Sequence, residues 1–160
     1  MNKIAYIFAS AALLALGACT SKQAEETSSE QPAAAQASSE IVAPVAEGGK
    51  VIELTDSKDY APGVKVSQLT VLDFNAVWCG PCRQLTPVLE ELAAKYDGKV
   101  TFVSVDVDKY GDLFEAYNLG TSIPAVLFLY PDGSKKSYIG TGDLLPADKF
   151  EALIDAALAK

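Results

Sequence analysis

The sequence predicts an α/β domain, a mixed central β-sheet flanked by helices on both faces. Apolar runs of strand length alternate with segments whose apolar residues recur at three- and four-residue steps. A turn signal, Pro131-Asp132-Gly133, joins two strand-like runs near the C-terminus and puts a hairpin into that alternation. Two cysteines, Cys79 and Cys82, fall at one strand-to-helix junction.

The elements follow in order. Val51 to Leu54 reads as a short strand. Thr55 to Ser67 has no clear period, and Pro62-Gly63 breaks any long helix there. Leu69 to Ala76 begins with a continuous apolar run, as a strand covered on both sides does. From Gly80 to Tyr96 a helix is predicted, because Leu85, Val88, Leu89, Leu92 and Tyr96 share one face. Pro87 lies inside it and should kink it by removing a hydrogen bond. Val100 to Val107 is a strand and Asp112 to Tyr117 a short helix. Ala125 to Tyr130 and Lys135 to Ile139 form the hairpin. Pro146 suits a first helical position, and Phe150, Leu153, Ile154, Ala157 and Leu158 mark one face of a last helix.

The first residues read as a targeting segment and not as fold. Lys3 supplies a positive start, and Ile4 to Leu16 is an apolar stretch too short for an ordinary spanning helix. Cleavage after Ala18 would put bulky Leu16 at the −3 position, a poor fit to an ordinary signal-peptidase site. Leu16-Gly17-Ala18-Cys19 instead resembles a bacterial lipobox, whose cysteine is acylated and becomes the mature N-terminus. The expected division is a signal peptide over 1–18, a linker over 19–48 with Cys19 lipidated, and a folded domain over 49–160. The linker is Ser, Ala, Glu and Gln with Pro32 and Pro44 and almost no large apolar residue before Ile41, too little to offset its ordering entropy. An acylated Cys19 is a thioether and takes no part in redox; a plain secretory signal would leave it a free thiol.

Charge and composition exclude several functions. The 160-residue chain has a formal net charge of −8, which argues against a nucleic-acid partner. It has no histidine, so Cys-His and Ser-His nucleophiles and the usual zinc-protease sites are out.

Cys79 and Cys82 read as a dithiol/disulfide switch. The first lies at a helix N-terminus, where unpaired N–H groups and the helix dipole favour a thiolate. The second lies one turn on, close enough to close a ring. A purely structural disulfide over so small a loop would stabilise little. A structural metal site needs about four ligands, and two thiols without histidine fall short. Asp73, among Val71, Leu72 and Phe74, is either a desolvated carboxyl with a raised pKa or an aspartate ending its strand in water.

These residues resemble the thioredoxin family. Trp78-Cys79-Gly80-Pro81-Cys82 is identical to its active-site pentapeptide. Asp73 stands six residues before Cys79, Pro87 five after Cys82, and Ile123-Pro124 matches the family's cis-proline loop. Gly140 falls where the family has a glycine near the end of its hairpin. The likeness runs over Val51 to Lys160 and implies the thioredoxin fold. Asn75 and Ser104 depart from it, standing where a tryptophan and often a lysine occur near the buried aspartate. The segment Gly142 to Leu145 is slightly longer than the family's loop before the last helix.

The resemblance implies a protein-disulfide oxidoreductase with no cofactor beyond its own redox disulfide, and no metal. Cys79 is then the nucleophile, Cys82 the resolving thiol and Asp73 the proton acceptor. Trp78, Gly80, Pro81, Ile123 and Pro124 would meet the substrate, with packing the equal alternative for Trp78. Gly80-Pro81 between the cysteines goes with reductants in the family. With the export signal, the expectation is a monomeric lipoprotein held by its lipid at the periplasmic or outer cell-envelope face. It would reduce disulfides of exported clients and draw electrons from a transmembrane thiol donor. An oxidase or isomerase, and a dedicated reductant for cytochrome c maturation, are the alternatives; a near absence of insertions favours the general role. A non-catalytic binding module on the same fold is the remaining alternative, disfavoured because both cysteines and Asp73 are kept.

Overall fold

The computed structural model describes residues 42–44 and 48–160. The signal peptide, Cys19 and most of the 19–48 linker lie outside the described residues. Among the described residues, no helix is long and apolar enough to cross a membrane.

Five strands form one sheet in the order β1-β3-β2-β4-β5. They are β1 (Val51–Glu53), β2 (Leu69–Asn75), β3 (Val100–Asp106), β4 (Ala125–Leu129) and β5 (Lys135–Ile139). β1 and β2 run parallel to β3, while β4 is antiparallel to β2 and to β5, so the sheet is mixed as expected. The helices are α1 (Gly80–Lys95), α2 (Gly111–Ala116) and α3 (Ala147–Leu158). α1 continues through Pro87.

Side-chain alternation along β2 sorts the core into two layers. Leu69 and Val71 pack with Leu85, Leu89 and Leu92 of α1 and Phe150 and Ile154 of α3. Leu72 and Phe74 pack on the other face, with Leu113 and Phe114 of α2 and with Tyr60. Aromatic pairs pin each layer: Phe128 meets Tyr138 edge-on at 5.3 Å, and Phe74 meets Phe114 edge-on at 5.4 Å. Each such pair adds about 0.5–1.5 kcal/mol beyond burial.

Three findings revise the sequence reading. Within Thr55 to Ser67 a single 3₁₀ turn forms at Ser57–Tyr60, capped by the Asp56 carboxylate, which accepts the Lys58 N–H at 2.9 Å. Pro146 stands one residue before α3, at the N-cap, after a cis Leu145–Pro146 bond, and is not the first helical residue. Leu144, in the loop before it, is fully buried in the α1–α3 layer.

The third concerns the linker boundary at residue 49. Val42 bridges Lys65 in parallel, and the Ala43 N–H donates to the Lys65 carbonyl at 3.0 Å. Ala43 is buried in the α2-side core, and the Tyr60 hydroxyl donates to the Pro44 carbonyl at 2.8 Å. These three residues therefore pack as part of the fold. The short apolar run around Pro44 gave no sign of this because the contacts are all long-range.

Candidate active site

The site forms where β2 ends and α1 begins. β2 delivers Asp73 and Asn75, and a tight turn follows in which the Cys79 N–H donates to the Ala76 carbonyl at 3.0 Å. Cys79 is the N-cap residue of α1, and Pro81 sits in its first turn, where the missing N–H costs nothing. Cys79 and Cys82 form a disulfide with their Cα atoms 5.3 Å apart. The backbone N–H of Cys82 donates to the Cys79 sulfur at 3.2 Å. That N–H is among the helix's unpaired donors, so it is in place to stabilise negative charge when the ring opens.

Both cysteines are nearly enclosed, together with Ala76, and half-buried Ile123 and Val107 pack against them. The Ile123–Pro124 bond is cis, as the resemblance implied. Pro124 is buried, and the sheet ladder starts just after it, at Ala125. Val77 and Trp78, by contrast, are 81% and 64% exposed. Core packing is thus not what holds Trp78; its indole N–H donates to the Asp108 carboxylate at 2.8 Å. Asp108 and Val77 escaped the sequence reading. A carboxylate reaching across from the β3–α2 loop has no local sequence signal, whereas an apolar residue flanking the pentapeptide could have been noted. Gly80 lies open: a side chain there would meet only the Arg83 guanidinium, at 3.9 Å.

Asp73 is 3% exposed, so the solvated alternative fails. Burial pushes its pKa up to about 7; the Asn75 hydrogen bond pulls it down, and the Glu53 charge pushes it further up. It faces α1 across a cavity of about 210 Å³, also lined by Thr86, Glu53 and Glu90. Thr86 is one turn beyond Cys82 and donates its hydroxyl to the Cys82 carbonyl at 3.2 Å. The cavity thus joins the acid to the helix that carries the second sulfur. Among the described residues, no group of three or more His, Cys, Asp or Glu side chains is placed to hold a metal ion.

The chain is similar to known proteins. The thioredoxin family profile matches residues 50–156. Thioredoxin of Borreliella burgdorferi is 35% identical over 105 residues, covering 66% of this chain and 85% of that protein. Thioredoxin H-type of Chlamydomonas reinhardtii is 40% identical over 114 residues, covering 67% and 94%. Among solved structures, chloroplastic thioredoxin z aligns with a TM-score of 0.59 at 27% identity, covering 69% of this chain and 96% of that one. A single-site mutant of a Halobacterium salinarum thioredoxin aligns equally well, with a TM-score of 0.59 at 25% identity, covering 72% and 96%. Sheet order, cis-proline and redox disulfide are each features of the chain's own geometry, and the family's reach over nearly the whole folded part agrees with them: the chain belongs to the thioredoxin family of thiol–disulfide oxidoreductases.

Proposed function

We propose that this oxidoreductase works in the cell envelope as a reductant of disulfides in exported proteins, held to a membrane by lipid on Cys19. The observation that carries the chemistry is the Cys79 sulfur at the mouth of α1, receiving the Cys82 N–H at 3.2 Å. In the dithiol form the Cys79 thiolate attacks one sulfur of a client disulfide. A mixed disulfide forms and the client's other sulfur leaves as a thiolate. Cys82 gives its proton to Asp73, and its sulfur attacks Cys79. The Cys79–Cys82 ring closes and the second client thiol is released. Two electrons pass from the protein to the client.

Val77, Trp78 and Ile123 offer an apolar rim to the client, and the backbone before Pro124 suits an extended client strand. The lipid and the envelope location rest on Leu16-Gly17-Ala18-Cys19 and the apolar stretch before it. Beyond the inner membrane, soluble cytosolic reductases cannot reach the ring, so a transmembrane thiol relay must restore the dithiol.

The test is trapping in cells with Cys82→Ser. This variant should arrest mixed disulfides through Cys79 with exported clients, and lipid should be found on Cys19 by mass spectrometry. A reduction potential near the value characteristic of thioredoxins, about −270 mV, fits a reductant. One near about −120 mV would make the protein an oxidase instead. Cysteines found fully oxidised in cells with an intact thiol relay would remove the reductant role.

A further inference from the structure

Asp73 does not stand alone on its strand. Residues two apart on a strand share a face, so Asn75 lies beside it. Asp73 also pairs in register with Ser104 on β3, and Ser104 with Glu53 on β1, which sets the three in one row across the sheet. The Asn75 side-chain nitrogen lies 3.0 Å from the Asp73 carboxylate Oδ2, 3.0 Å from the Asp73 carbonyl and 2.9 Å from the Ser104 hydroxyl. The Asp73 carbonyl can only accept, and so can its carboxylate when ionised, so the amide NH₂, and not its oxygen, must face them. Its two hydrogens serve three acceptors, which locks the side chain in one orientation. Oδ1 of Asp73 has no hydrogen-bond partner in the protein and is buried.

We propose that Asn75, anchored on Ser104, is the positioning residue of Asp73: its amide occupies Oδ2 and leaves Oδ1 as the oxygen that takes up and gives back the proton. This deepens the reading of Asp73 as acceptor for Cys82 and rests on it. The surroundings leave Asn75 no substitute. From β1 comes Glu53 and from α1 Glu90, both exposed and both acidic; α1 also brings the neutral Thr86, one turn beyond Cys82. β4 places apolar Val126 opposite Asp73. Among the described residues, no lysine or arginine lines the cavity. The group there that favours the charged carboxylate is therefore the Asn75 amide, in a position where this chain lacks the family's usual tryptophan and lysine.

The experiment uses Asn75→Leu, close in shape without the donor, and Ser104→Ala, which removes the anchor. The Asp73 carboxyl is titrated by NMR in the disulfide form, where neither cysteine ionises. A charged-group hydrogen bond lost from this site should raise the midpoint by about one to two pH units in Asn75→Leu. Ser104→Ala should move it the same way by less. The pH profile of disulfide turnover should move alkaline in parallel, with roughly a ten-fold loss at pH 7. An unmoved Asp73 midpoint in folded Asn75→Leu overturns the proposal; if that variant does not fold, an unmoved midpoint in Ser104→Ala does so. A shifted midpoint with an unmoved turnover profile supports the positioning role and instead removes Asp73 as the acceptor.

Discussion

The Gly140 N–H donates to the Pro124 carbonyl at 2.8 Å, which ties the end of the β4–β5 hairpin to the loop facing the disulfide. Gly140 makes this bond at a φ of 78°, in the left-handed region. A Cβ built there would meet nothing within 4 Å. Substitution is therefore penalised by backbone conformation alone. Gly140→Ala should lower stability by about 1–2 kcal/mol, and Gly140→Asn by less, since asparagine enters this region more readily. Urea unfolding of both variants checks the order; equal losses would mean that packing, not φ, makes the position need glycine.

Asp73 ties stability to pH in a direction opposite to that of a salt-bridged carboxylate. Its pKa is about 7 in the fold against an ordinary value of 3.8. Below 3.8 both states hold the proton and no penalty exists. As pH rises toward 7 the unfolded chain releases the proton first, so stability falls across this window and stays low above it. The full penalty is on the order of 4 kcal/mol. Asp73→Asn should be more stable than the parent by about 2–4 kcal/mol at pH 8, and the two should converge near pH 4. The same substitution should slow turnover at pH 7, on the order of 10²-fold, the low end for a lost general base. Matched unfolding curves at the two pH values and one turnover assay test both halves. A variant no more stable at pH 8 would mean that the carboxylate is better solvated than its 3% exposure implies.

The upstream segment should contribute to the fold without touching the chemistry. Tyr60 donates to Pro44, and Tyr117 donates to the Tyr60 carbonyl at 2.7 Å, so one chain of hydroxyls holds Val42–Pro44, the 3₁₀ turn and the end of α2 together. Burial pushes both phenols up to about 12, with Asp59 adding to the effect on Tyr60. Tyr60→Phe should cost about 0.5–1.5 kcal/mol at neutral pH. Ala43→Asp should cost about 2 kcal/mol or more, because it buries a charge. Above pH 10 the unfolded chain ionises its tyrosines before the folded one does, so parent stability falls toward pH 12. Tyr60→Phe should flatten that alkaline limb. Turnover of a small disulfide should be unchanged in both variants; a loss there would link this segment to the site.

The regular elements could be read from the chain because each rests on local pattern. Strand alternation, helical spacing and the Pro131-Asp132-Gly133 turn placed every strand and α-helix of the described residues to within one or two residues, and left only the 3₁₀ turn at Ser57–Tyr60 unread. The pentapeptide and Ile123-Pro124 located the site's two loops. What escaped depends on partners far along the chain. Ala43 looked like linker because Tyr60 and Lys65 complete its environment. Trp78 could not be settled because its partner Asp108 arrives from the loop after β3. Asn75 and Ser104 were visible only as departures from a family pattern. Their hydrogen bonding around Asp73 needed the β2–β3 register. Alternation alone would have placed Asn75 beside Asp73, so that half of the pair was within reach of the sequence.

Val77 and Trp78 should separate client recognition from disulfide chemistry. Together they are the most exposed large apolar residues of the described chain, and they adjoin the buried ring. An exposed tryptophan held by one hydrogen bond to Asp108 adds little to the fold. At a protein interface, however, such a side chain is the type that carries binding energy. Trp78→Ala should therefore raise KM for a folded protein disulfide about ten-fold, with Tm nearly unchanged. Val77→Asp should do the same by placing a charge in the contact. A small aromatic disulfide, which needs only the sulfur, should be reduced at parental rate by both. Asp108→Ala should fall between, since it frees the indole without removing it. If instead both substrates slow equally in Trp78→Ala, the indole governs access to the Cys79 sulfur itself, and the rim is part of the reaction and not only of recognition.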